Sequence, residues 1–141
     1  MPEGKKFEIR TPEKKTFEIR KTLNDIPSIE EGSLVPRSRE DLARIVEEPM
    51  LAAAQIFFDK GISTWMSSAN RKDIASGEVH LIIRFENLSA RNKDIALRNG
   101  STFEYGGTQY LKIGMPVHAG TTVREISEHM VAIANQFQSE L

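Results

Sequence analysis

The chain predicts an α+β protein: a mainly antiparallel sheet of about four strands with helices packed on one face. Three observations carry that expectation. Val123, Ile126, Met130, Ile133 and Phe137 recur at steps of three and four, forming one apolar stripe on a helix. Val79, Leu81, Ile83 and Phe85 alternate with His80, Ile82 and Arg84, the period-two pattern of a strand. Gly106 and Gly107 separate two short strand-like runs, and glycines supply the positive φ that a tight hairpin needs.

The elements follow in order. Residues 1–20 form an N-terminal arm in which Lys6-Phe7-Glu8-Ile9-Arg10 returns as Thr16-Phe17-Glu18-Ile19-Arg20. Each copy alternates like a short strand. A hairpin with a five-residue loop pairs Ile9 with Phe17 and Phe7 with Ile19, gathering the apolar side chains on one face. A flexible duplicated arm is the alternative. Residues 21–37 read as a connector, punctuated by Pro27, Gly32 and Pro36. The α+β body spans residues 38–141.

Ser38 is placed as the N-cap of the first helix, with Glu40 and Asp41 favourable in its first turn. Leu42, Ile45, Val46, Ala53, Ile56 and Phe57 share one helical face. Pro49 either kinks one long helix or starts a second. Lys60-Gly61 ends it. Ile62 to Ser67 reads as a strand, with Ile62, Thr64 and Met66 on one face and Trp65 on the other. A polar connection, Ser67 to Gly77, leads to the strand Val79 to Phe85, its antiparallel neighbour. Ser89 caps a short helix ending at Asn99-Gly100. Phe103-Glu104-Tyr105 and Gln109 to Ile113 flank a hairpin turn at Gly106-Gly107-Thr108. Thr122 and Glu125 have the spacing of a capping box at the head of the final helix. The expected order of the body is α-β-β-α-β-β-α.

Composition narrows the function classes. The chain has 141 residues, 39% hydrophobic and 28% charged, with a net charge of −1. That length suits one domain with its own core. So small a charge provides no global field for nucleic acid or an anionic membrane. No apolar run approaches the roughly 18 residues of a membrane helix. The basic start, Met1 to Lys6, lacks the apolar stretch of a secretory signal. The absence of cysteine removes disulfides, thiolate nucleophiles and Cys-ligated metals, and a cytoplasmic location is the expectation.

The densest chemistry lies in Ser67, Ser68, Asn70, Arg71, Lys72 and Asp73, between two expected strands that also bear Trp65, His80 and Arg84. A rigid sheet could position such a loop as a partner-binding site, with Trp65 sharing a sheet face with His80 and Arg84. The plain alternative is a solvated loop beside a half-exposed sheet. Ser68, Asp73 and His80 contain the residue types of a hydrolase triad, but no Gly-x-Ser-x-Gly elbow accompanies them. His80, His118 and His129 are too dispersed for a metal motif, and no cofactor is expected.

The chain therefore reads as a small binding or regulatory protein whose partner is another protein or a second copy of itself. A nucleic-acid accessory role is the runner-up, through Arg71, Lys72, Arg91, Lys93 and Arg98 with Tyr105 or Tyr110 for stacking. Asp73, Glu78, Asp94 and Glu104 dilute that field. A hydrolase using Ser68, Asp73 and His80 comes third.

Overall fold

The computed structural model describes residues 20–29 and 36–141. The expected arm lies outside these residues apart from Arg20, as do residues 30–35 of the connector. Among the described residues the protein is α+β, with five α-helices and one three-stranded antiparallel sheet. The helices are α1 (Arg39–Ile45), α2 (Glu48–Asp59), α3 (Asp73–Ser76), α4 (Ala90–Asn99) and α5 (Val123–Ala134). The strands are β1 (Glu78–Arg84), β2 (Ser101–Tyr105) and β3 (Thr108–Pro116), in the spatial order β1-β3-β2. No described helix is long and apolar enough to cross a membrane.

Local chemistry starts and stops the helices. Ser38 Oγ accepts the Asp41 N–H at 3.3 Å at the head of α1. Pro49 starts a second helix: α1 ends at Ile45, and the proline sits in the first turn of α2, where its missing N–H leaves no intrahelical bond unmade. Gly61, at φ +75°, turns the chain away after α2. In α5, the Thr122 N–H donates to Glu125 Oε1 at 2.8 Å, and the Glu125 N–H donates to Thr122 Oγ1 at 3.0 Å.

The two long helices pack on each other and bury one side of the sheet. Met50, Ala53, Ala54 and Phe57 of α2 meet the stripe of α5, whose Val123, Ile126, Met130 and Ile133 are all buried. Phe137 lies beyond the last helical turn but remains buried, edge-on to Phe57 with ring centroids 5.1 Å apart. Lys60 Nζ reaches across to donate to the carbonyls of Ala134 and Phe137, the free acceptors at the end of α5. Residues on both sides of the body are tied in by backbone bonds. Val123 N–H donates to the Lys21 carbonyl, and Leu23 and Ile26 are buried. At the C-terminus, Asn92 bonds the backbone of Gln138 in both directions, while Glu140 accepts from the Ser89 N–H and Asn92 Nδ2.

The sheet departs from expectation in two places. Ile62 to Ser67 is not a regular strand, so the sheet has three strands and the expected order is not realised. The segment does run antiparallel beside β1, bridging at Thr64–Ile83 and Ser68–His80. Between those bridges it spends four residue steps against three on β1, which is a one-residue bulge. Met66, at φ +49°, absorbs the extra residue and turns outward, half exposed, instead of joining Ile62 on the inner face. The second departure is the hairpin. Its turn is Gly106-Gly107 alone, both at positive φ, and Thr108 already pairs with Tyr105. A three-residue turn would have set Glu104 opposite Tyr110. The two-residue turn sets Phe103 there.

Hydrogen-bond parity then assigns every strand residue. Phe85 N–H donates to Gln109 O and Val117 N–H to Gly77 O, both at 2.9 Å. The odd-numbered residues of β3 therefore bond β1, and the even-numbered ones bond β2. Val79, Leu81, Ile83, Leu111 and Ile113 face the helices and are buried. His80, Ile82, Arg84, Tyr110, Lys112, Phe103 and Tyr105 share the opposite face.

Two predictions follow from this packing. Phe137→Ala should cost about 3–5 kcal/mol in chemical denaturation, because a buried ring is removed against Phe57. A loss under about 0.5 kcal/mol would mean the ring is dispensable to the core. Separately, Glu125 and Glu140 are both held below the ordinary glutamate value of 4.5, chiefly by the backbone N–H groups of Thr122 and Ser89 respectively. A depressed carboxylate pKa means the folded form binds fewer protons, so its stabilisation is present above pH 4.5 and is lost as pH falls through the folded values. The urea midpoint should decline on acidification through that window, and the Glu125→Gln, Glu140→Gln double variant should show a flatter decline.

Candidate functional site

The polar connection closes on itself. Ser68 Oγ donates to Asp73 Oδ2 at 2.9 Å, and the Asn70 N–H donates to the same oxygen at 2.9 Å. Asn70 Oδ1 accepts the Lys72 N–H, while the Arg71 N–H donates to the Ile26 carbonyl. The short helix α3 follows and ends on Gly77 at φ +80°.

Beneath the loop lies a buried carboxylate, Glu47, only 6% exposed. It accepts from the Ile29 N–H at 2.8 Å, the Ala69 N–H at 2.7 Å and Asn70 Nδ2 at 2.8 Å. A buried charge is tolerated only when its lone pairs are met by donors, and here three donors from two separate segments supply them. Asn70, itself buried, is thus a structural ligand of Glu47 rather than a group offered to a partner. Of this loop, Arg71 and Lys72 are exposed at the surface, and Ser67 is half-buried.

Ser68 and His80 face each other through a reciprocal backbone pair, N–H to carbonyl at 2.8 and 3.0 Å. The His80 ring is tied to the Met66 backbone, and its pKa is lowered, first by burial and then by the neighbouring Lys112, against smaller opposing effects of Asp73 and Glu78. The imidazole is therefore neutral at neutral pH. The Ser68 hydroxyl bonds the Asp73 carboxylate directly, without the imidazole between them that activates a serine nucleophile. Clefts at Pro36 and Thr64 extend toward Glu47 and toward Phe58, and neither takes in Ser68, Asp73 or His80. Among the described residues no group of three or more His, Asp or Glu side chains is gathered to hold a metal. His118 serves its own loop, its Nδ1 accepting the Gly120 N–H.

Trp65 leaves the loop for the outer face of the sheet. Its N–H donates to the Ile82 carbonyl at the β1 edge, and its ring stacks on Tyr110 of β3 at 4.5 Å and 21°. Tyr110 in turn stacks on Phe103 of β2 at 5.7 Å, and Tyr105 lies 5.4 Å from Trp65. Arg84, Tyr110 and Phe103 occupy one row across the three strands. Tyr105 is 63% and Met66 50% exposed at the rim. Trp65 and Arg84 thus share a face with His80, as the sequence suggested. Met66, Phe103, Tyr105 and Tyr110 were not in the expected site. The signal for Phe103, Tyr105 and Tyr110 was the strand alternation around Gly106-Gly107, which needed the two-residue turn to read correctly, while Met66 was placed by the bulge.

The charges on this face are few. Lys112 pairs with Glu78 at 2.8 Å. Gly114 makes that reach possible, since a Cβ there would lie 2.5 Å from Glu78 Oε2. Arg84 is the exposed cation of the aromatic row. Arg91, Lys93 and Arg98 lie on α4, whose Ile95 and Ala96 pack into the core on the other side of the sheet. Lys93 sits over the Phe85 ring at 5.6 Å. The cations expected for a nucleic-acid surface therefore do not surround Tyr105 and Tyr110.

No protein-family model, curated protein or solved structure matches the chain. The roles within the loop are separable by mutation. Asn70→Ala should cost about 1–3 kcal/mol, because it strips a donor from the buried Glu47 carboxylate. Arg71→Ala should stay within about 0.5 kcal/mol, as exposed substitutions do. Equal losses in thermal or urea unfolding would contradict this division.

Proposed function

We propose that the protein is a binding module that recognises another protein through the outer face of its sheet, centred on Trp65, Tyr110, Phe103 and Tyr105 with Arg84 beside them. One observation carries this reading: the face left open by the helices bears a stacked aromatic row where a solvated sheet face would be polar. Trp, Tyr and Arg are the side chains that dominate protein-interface energetics: the two rings bury a large area with few rotamers to freeze and keep a polar handle, and Arg presents a planar fork of donors. Met66 adds an adaptable thioether at the rim. Its left-handed backbone costs on the order of 1 kcal/mol, and strain of this kind collects at functional positions.

Protein is favoured over nucleic acid because, among the described residues, Arg84 is the one unpaired cation in the row. Single-stranded nucleic acid needs a cationic track for its phosphates as well as rings for its bases. The partner suited to this face presents flat apolar groups, with a carboxylate to meet Arg84.

Trp65, the only tryptophan, stands within the patch and reports its occupancy by fluorescence. Peptides selected from a displayed library against the whole protein should shift Trp65 emission. They should bind at least about tenfold more weakly to Tyr105→Ala and to Arg84→Ala. Ligands that bind both variants like the parent protein would sink this face as the site. Tight binding of a labelled oligothymidine, falling steeply with salt, would replace the protein reading with the nucleic-acid one.

A further inference from the structure

The two edges of the sheet are unequal. The β1 edge is occupied: Ser63 O, Trp65 N–H and both polar groups of Ser68 take up the outward-facing backbone groups of His80, Ile82 and Arg84. Among the described residues the β2 edge has no such cover. Parity places Ser101, Phe103 and Tyr105 in bonds to β3, so the N–H and C=O of Thr102 and Glu104 point away from the sheet. Both residues are exposed, and the strand carries neither proline nor lysine, the usual guards of an open edge.

We infer that β2 pairs antiparallel with β2 of a second copy about a two-fold axis through Phe103, joining two three-stranded sheets into one of six strands. This contact uses the edge and does not rest on the function proposed for the face. The register is self-complementary. Thr102 of each copy exchanges both backbone bonds with Glu104 of the other, giving four new hydrogen bonds. Threonine stands opposite glutamate, so no like charges are directly opposed. Phe103 meets its own copy in a non-hydrogen-bonded pair, where Cα atoms lie about 4.5 Å apart. Tyr105 falls opposite Ser101 of the second copy on the same face, flanked at its side while the face itself stays open. The row Trp65, Tyr110, Phe103 then continues without a break into Phe103, Tyr110 and Trp65 of the second copy. A second copy is preferred to a foreign strand for a further reason. Each molecule has one open edge and one occupied edge, so pairing closes at two copies and leaves no end to polymerise.

Sedimentation equilibrium of the full chain should give twice the 15.9 kDa chain mass at concentrations up to about 500 μM. Thr102→Pro removes an N–H that β3 does not use, so it should yield a monomer with unchanged far-ultraviolet dichroism. The absence of cysteine allows a second, independent measurement. Phe103→Cys should form a disulfide-linked dimer under mild oxidation, because the paired Cβ atoms lie within bridging distance. Glu104→Cys, diagonal to its copy, should not. A wild-type chain that stays monomeric overturns the inference. So does a dimer that survives Thr102→Pro, or one that cross-links through Glu104→Cys instead of Phe103→Cys. If Thr102→Pro fails to fold, the two cysteine variants decide the matter. A monomer whose β2 binds extended peptides also overturns it and assigns the edge to a foreign strand.

Discussion

The register of β3 governs most of what this protein presents to its surroundings. As the central strand it bonds β1 with one set of backbone groups and β2 with the other. That parity sends Leu111 and Ile113 into the core and Tyr110 and Lys112 to the outer face. It also decides which groups of β2 are left without a partner. A one-residue slip would invert every assignment, because strand side chains alternate with period two. Two features hold the register. The apolar residues of β1 and β3 are buried together under α2 and α5, and the Gly106-Gly107 turn admits only one pairing at its mouth.

Covering the sheet on one side only has a direct chemical consequence. The helices bury the inner residues of β1 and the centre of β3, and the other face must make its own terms with water. Here it does so by stacking rings on one another, which shields part of their area while leaving Tyr105 and Met66 exposed. Trp65 reaches this surface by alternation from the Thr64–Ile83 bridge, and the bulge follows it. The extra residue at Met66 re-aims the edge segment, so that Ser68 regains the pairing with His80.

The loop after that segment has a different task. Its Ala69 N–H and Asn70 amide serve Glu47, which binds the 29 and 69–70 segments to the head of α2, while Ser68 and Asp73 bond each other. A buried carboxylate met by three N–H donors is rigid, since losing any one donor exposes a charge to an apolar surround. The loop continues directly from the edge segment, in which Trp65 is held by its own bond to Ile82 and by Tyr110.

Strong local signals were legible without coordinates. The capping box at Thr122 and Glu125, the N-caps Ser38 and Ser89, the apolar stripe of α5 and the alternation of β1 all depend on residues within one or two turns of each other. Of the expected site, Trp65, His80 and Arg84 were correctly placed on one face, because strand alternation is itself local. What tertiary structure alone decided involves partners far apart in the chain. Glu47 became buried only because Ile29, Ala69 and Asn70 converge on it. Asn70 turned inward for the same reason. Phe103 met Tyr110, and Tyr110 met Trp65, through a register that no single segment contains. The bulge at Met66 arose from matching two bridges on β1, and the openness of the β2 edge from the absence of a fourth strand beside it among the described residues. Periodicity reports which face of an element is apolar, whereas the neighbour that covers that face, or leaves it bare, is chosen by the packing of the whole chain.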